Sequence, residues 1–206
     1  MGSGSKRELD EVIRTERVIA IKEHVRREAA ATAARGEQQP FRQFAEVLEF
    51  VDKFIAEGLE RRPIIAVLGG TFLGKSKLAA HVLMLVAAAL GLEGFLEVTV
   101  EQDASIDLTD FNIDVHAGVL LDGVGDALFL KHNRESLQGR PKLGKGGRSG
   151  TMMYAYPFTF ARRAVVATFD LSAKNLEAFT TDHWLQDRRN VIQLKLTEPA
   201  YVAAVP

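Results

Sequence analysis

The 206-residue chain has no cysteine, which removes disulfides, zinc–thiolate sites and thiol nucleophiles together. That absence fits a reducing compartment, and an intracellular location is the expectation. No apolar run is long enough to cross a bilayer. The nearest, Leu78 to Leu90, contains His81 and reads as a core helix. Internal repeats are absent. Net charge is almost absent too, at −1, but the balance conceals a polarity along the chain. Residues 93–130 hold nine acids and no Lys or Arg, whereas 131–169 hold eight Lys or Arg and one acid, Glu135. Signs normally intersperse on a solvated surface. Their segregation predicts one face for metal and phosphate chemistry and another for a polyanion.

With 47% hydrophobic residues the chain can bury a full core, as one domain with an appendage. Residues 1–5, Met-Gly-Ser-Gly-Ser, read as an expression scar and are set aside. Residues 6–60 read as a small N-terminal helical module rather than part of the sheet. Ser5-Lys6-Arg7-Glu8 forms a capping box for a helix to about Ala34, which the stretch Gly36 to Pro40 breaks. A second helix carries Phe41, Phe44, Val47, Leu48, Val51, Phe54 and Ile55 at helical spacing, with Gly58 near its end. This second helix is the better amphipath and needs a partner surface. Residues 61–206 alternate strand and helix, the pattern of an α/β sheet. Strands are expected at 64–68, 95–100, 117–121, 164–169 and 191–196, with a short helix near 105–112.

The first of these strands leads into Gly69-Gly70-Thr71-Phe72-Leu73-Gly74-Lys75-Ser76, which fits G-x-x-x-x-G-K-[ST]. A buried strand precedes it, and a helix-forming stretch from Lys77 to Leu90, closed by Gly91, follows it. In that setting backbone N–H groups and a helix N-terminus surround a phosphate chain. Lys75 places a point charge on the β- and γ-phosphates, and the Ser76 hydroxyl completes the shell of a magnesium ion. The cradle thus comprises Gly69 through Ser76, with Lys77 beyond it. The expected ligand is a nucleoside triphosphate, ATP with Mg2+; the alternative is an idle glycine turn.

The third strand, Ala117-Gly118-Val119-Leu120-Leu121-Asp122, ends in an acid after an apolar run. This is the Walker B form, in which Asp122 holds the metal, often through water. An ordinary strand ending at an Asp-Gly turn is the competing reading. An extra strand lies between the phosphate-loop strand and the Walker B strand, as in ring-forming ATPases rather than simple kinases. Val165-Val166-Ala167-Thr168-Phe169-Asp170 supplies a further strand with a polar tip. Arg188 and Arg189, just before the last strand, offer either an arginine finger for a neighbouring subunit's nucleotide or a solvated pair capping a helix.

Between Asp122 and that fourth core strand lies the glycine-rich basic segment 137–148, with Arg140, Lys142, Lys145 and Arg148. Basic residues on such a loop can follow a phosphate backbone; a mobile surface segment with no ligand is the other reading. Tyr154, Tyr156, Phe158 and Phe160 alternate, so in a strand they face one way, to cover the core or to stack bases.

In motif order and spacing, residues 60–200 resemble the superfamily 3 helicases of small DNA viruses, particularly the replication initiators of circular single-stranded DNA viruses. The resemblance implies a P-loop NTPase three-layer sandwich with a mostly parallel five-stranded sheet, assembled into a homo-oligomeric ring. It implies Lys75 and Ser76 as phosphate and metal contacts, Asp122 as Walker B acid, Asp170 at the sensor position and Arg188 or Arg189 as the finger. It also implies a pore hairpin at Lys142, Lys145 and Arg148 that grips single-stranded DNA or RNA. Two positions depart from the pattern. Asp122 is followed by Gly123-Val124-Gly125-Asp126 rather than a second acid, and Asp170 replaces the family's usual asparagine. Glu101 and Asp126 are the remaining candidate bases, so slow hydrolysis is expected. A nucleotide-dependent switch with little hydrolysis and a small-molecule P-loop kinase are the alternatives.

Overall fold

The computed structural model describes residues 41–55, 61–100, 108, 110–138, 144–145, 157–158 and 163–202. Five strands form one sheet: β1 (Ile64–Gly69), β2 (Gly94–Thr99), β3 (His116–Asp122), β6 (Ala164–Phe169) and β7 (Val191–Leu196). A separate two-residue pair, β4 (Gly144–Lys145) and β5 (Pro157–Phe158), runs antiparallel. The main sheet has the order β2-β3-β6-β1-β7, and every pairing within it is parallel. The protein is therefore α/β with an all-parallel sheet, and β6 intervenes between β1 and β3. All five strands overlap their expected positions. The short helix expected near 105–112 does not form at its described residues: Leu108 is buried coil and Phe111 closes a turn onto it. Residues 105–107 and 109 lie outside the described residues.

Period-two alternation in β1 divides the core. Ile65 and Val67 face the cluster built with helices α1 (Ala45–Ile55) and α2 (Lys75–Leu90). Ile64, Ala66 and Leu68 face the opposite cluster. That second layer comprises α3 (Leu128–His132), α4 (Arg134–Leu137), α5 (Ala173–Thr181) and α6 (His183–Gln186). A sheet covered on both faces needs strands that are apolar throughout, and β1 and β6 are buried at every position. The partner surface for α1 is α2 together with β7 and β1, so α1 belongs to the same hydrophobic cluster as the sheet. It buries Val47, Phe50, Val51 and Phe54 there, each worth about 1.5–3 kcal/mol before entropy is subtracted.

Close packing in the middle of the sheet depends on Gly118. A Cβ at that position would lie 2.2 Å from the Ala164 carbonyl oxygen and 2.8 Å from Leu83 Cδ2. Its absence lets β3 pair with β6 and seat against α2. Local caps finish the second layer. Ser172 accepts from Asn175 N–H at the start of α5, and Asp182 accepts from Trp184 and Leu185 N–H at the start of α6.

Candidate functional site

Because the strands are parallel, β1, β3 and β6 deliver their last residues to one edge of the sheet. Open α/β sheets bind ligands at that edge. The loop 70–74 leaves β1 there and turns into α2. Gly74, at φ +82°, occupies a left-handed conformation that a side chain would strain. Phe72 also has positive φ, at 64°, although it carries a ring, and the residue is 97% exposed. Lys75 Nζ arches back and donates to the Gly70 carbonyl at 2.8 Å, placing its charge across the loop.

Ser76 Oγ donates to Asp122 Oδ1 at 2.8 Å, spanning from α2 to the end of β3. The same oxygen accepts from Thr168 Oγ1 at 2.6 Å, and Thr168 in turn accepts from Gly123 N–H at 2.9 Å. Side chains from α2 and β6 thus converge on one carboxylate at the end of β3. Hydroxyl and carboxylate oxygens suit a hard divalent cation. Among the described residues no group of three or more His, Cys, Asp or Glu could hold a metal by itself. A cation here would share its shell with phosphate and water, as Mg2+ commonly does.

Asp170 lies just past β6 and is locked locally. Asn175 Nδ2 donates to its Oδ1 at 2.7 Å and Ser172 N–H at 3.3 Å. Burial pushes the Asp170 carboxyl up, but those bonds and the charge of Lys75 outweigh it and hold the group below the usual range. Asn175 is fully buried and also accepts from Ala127 N–H at 2.9 Å, tying the loop after β3 to the loop after β6. Asp126 has an equally occupied carboxylate. It forms an ion pair with Lys174 at 2.9 Å and accepts from Leu128 N–H at the start of α3. The Lys174 bond leads the causes that lower its pKa.

Glu101 lies outside the described residues, as do Arg140, Lys142 and Arg148 and the aromatic positions Tyr154, Tyr156 and Phe160. Lys145 and Phe158 lie on the paired backbones of β4 and β5, where Gly144 faces Phe158 and Lys145 faces Pro157. Arg188 and Arg189 sit in the turn before β7, at the opposite edge of the sheet from the loop. Val191 pairs with Ile64 and Leu196 with Gly69, so about 20 Å of strand separates them from the phosphate loop. Arg188 binds Glu49 on α1. Arg189 forks onto Asp187, whose carboxyl that guanidinium pulls down to about 2.

Sequence reasoning passed over Thr168 and Asn175 as site residues. Thr168 is a β-branched residue inside an apolar strand, and its propensity hides its hydroxyl. Asn175 could have been flagged only as the partner of a Ser172 cap. Comparisons with protein-family models and with curated proteins return no match for this chain.

Proposed function

We propose that this protein binds a nucleoside triphosphate with Mg2+ and hydrolyses it slowly, as a helicase-like P-loop ATPase acting on single-stranded nucleic acid. The observation that carries the nucleotide reading is the convergence of Lys75, Ser76, Asp122 and Thr168 around the loop after β1. Loop amides and the α2 N-terminus favour an anion there, and Lys75 adds a full charge. When bound, Mg2+ neutralises charge on the phosphate oxygens. Ser76 and Asp122 are the groups to hold it, and Thr168 fixes which way the Asp122 carboxylate faces.

Slow turnover follows from the carboxylates. A general base must reach the attacking water with a free lone pair. Asp126 is paired with Lys174 and Asp170 accepts from Asn175, and both carboxyls are held below their ordinary pKa, which makes each a weaker base. The same observation supports the second reading, a nucleotide-dependent switch with little hydrolysis. The position of β6 between β1 and β3 disfavours the kinase reading, in which those strands are usually neighbours. Arg140, Lys142, Lys145 and Arg148 support the nucleic-acid component as a basic, glycine-rich segment.

ATP turnover with and without single-stranded DNA or RNA, with Lys75→Ala as the blank and oligomeric state recorded with nucleotide bound, tests the proposal. Stimulation by nucleic acid together with a ring is the expected result. Binding without turnover would replace the motor by the switch, and phosphate transfer to a small acceptor would replace it by the kinase. No loss of nucleotide binding in Lys75→Ala would remove the nucleotide reading altogether.

A further inference from the structure

The phosphate loop is clasped by the two ends of the described chain. After β7, Ala200 N–H donates to the Leu73 carbonyl at 2.9 Å, and the Ala200 carbonyl accepts from Arg42 N–H at 2.8 Å. Arg42 also pairs with Glu198 at 2.5 Å. Phe41 and Tyr201 form an isolated antiparallel bridge, with rings 5.0 Å apart and 26° from parallel. On its other side Phe41 stacks on His81 of α2 at 4.8 Å and 25°. The Tyr201 ring lies against Gly74 so closely that a Cβ there would be 2.8 Å from it. Gly74 and His81 are seven residues apart and share one stripe of α2. Three half-buried rings therefore run along that stripe, starting at the phosphate loop itself.

Strand order gives any nucleotide in this loop a direction. Asp122 on β3, with Thr168 and Asp170 at the end of β6, lies on one side of β1. That side supplies the metal-holding oxygens and so takes the terminal phosphates. The opposite, β7 side carries Tyr201, Phe41 and His81. Glu198 on that side is paired with Arg42. We infer that the Tyr201–Phe41–His81 stack is the nucleobase platform of the site, so that the segment 198–202, braced from behind by Phe41, reads the base while the loop reads the phosphates. This inference rests on the nucleoside-triphosphate reading above. Aromatic faces stack any base, and the Tyr hydroxyl offers a polar contact to its edge. Burial pushes the Tyr201 phenol up, so it remains a neutral hydrogen-bond donor near neutral pH.

Calorimetric titration with Mg2+ present compares ATP with inorganic tripolyphosphate, which has the phosphates without the base. Wild-type protein should bind ATP at least about tenfold more tightly, the scale of one stacked base. Tyr201→Leu and Phe41→Leu should each remove most of that difference while leaving tripolyphosphate affinity within about twofold, and Tyr201→Phe should largely keep it. Equal wild-type affinity for the two ligands would overturn the platform, even if the leucine variants fail to fold. An equal loss of both ligands in the variants would also overturn it, showing that the strap only braces the loop. Wild-type protein that binds neither ligand would overturn the underlying nucleotide reading instead.

Discussion

Thr168 is 1% exposed, and its hydroxyl both donates to Asp122 and accepts from Gly123 N–H. Replacing it with valine keeps the shape and removes both bonds. Gly123 is exposed, so water can take up its N–H, and denaturant unfolding of Thr168→Val should show only the net loss of two hydrogen bonds, about 1–3 kcal/mol. ATP turnover should fall further than stability accounts for, because the Asp122 carboxylate is freed to rotate. Thr168→Ser should recover most of both. Phe72 makes the reverse case. Its ring is exposed and its φ positive, so nothing in the described structure offsets the strain. Phe72→Gly should leave stability unchanged or raise it by up to about 1 kcal/mol, as read by the unfolding midpoint.

At the scale of elements, the β3–β6 seam depends on Gly118, where an added Cβ meets the Ala164 carbonyl oxygen at 2.2 Å. Backbone cannot yield as a side-chain tip can. Gly118→Ala should cost about 3 kcal/mol or more, with hydrogen exchange accelerated in β3 and β6 together. Docking of α1 has a softer electrostatic component. Glu49 accepts from Arg188 and pairs with Lys53 at 2.7 Å, fastening α1 to the turn before β7. Arg188 leads the interactions that lower the Glu49 pKa below its ordinary 4.5, with Lys53 assisting against burial. A lowered carboxylate pKa contributes stability above the unfolded value, and that contribution disappears as pH falls through the folded value. With Glu49 partly and Arg188 largely exposed, the pair is worth under about 1 kcal/mol. Glu49→Gln should lose that increment at neutral pH and show a flatter stability profile below pH 4.5, measured by urea unfolding.

At the scale of the whole molecule, the two arginines and the phosphate loop occupy opposite edges of the sheet. Within one chain Arg188 and Arg189 cannot reach that loop, and under the ring reading a neighbouring copy would bring one of them to the nucleotide. The Arg189 side chain is 88% exposed and forks onto Asp187 within its own turn, whereas Arg188 ties that turn to Glu49 of α1, so Arg189 can be released without loosening α1. Under the ring reading, Lys75→Ala and Arg189→Ala should each be inactive alone. Their mixture should regain part of the wild-type ATP turnover, because some sites then combine an intact loop with an intact arginine. No recovery in mixed oligomers would remove Arg189 as a trans group. Among the described residues no helix is long and apolar enough to cross a membrane.

The amino-acid order by itself determined the loop at Gly69 to Ser76, the acid at Asp122 and the five core strands. Each is a local signal: a glycine spacing, an apolar run of strand length, a charged residue at its end. Only the tertiary structure decided that Thr168 aims the Asp122 carboxylate, that Lys174 pairs with Asp126 and Asn175 with Ala127, and that Phe41, His81 and Tyr201 meet beside Gly74. These contacts join residues tens to more than a hundred positions apart. Periodicity reports which face of an element is buried, but which distant side chain lies opposite is set by strand order and register. The same strand order places Arg188 and Arg189 at the far edge.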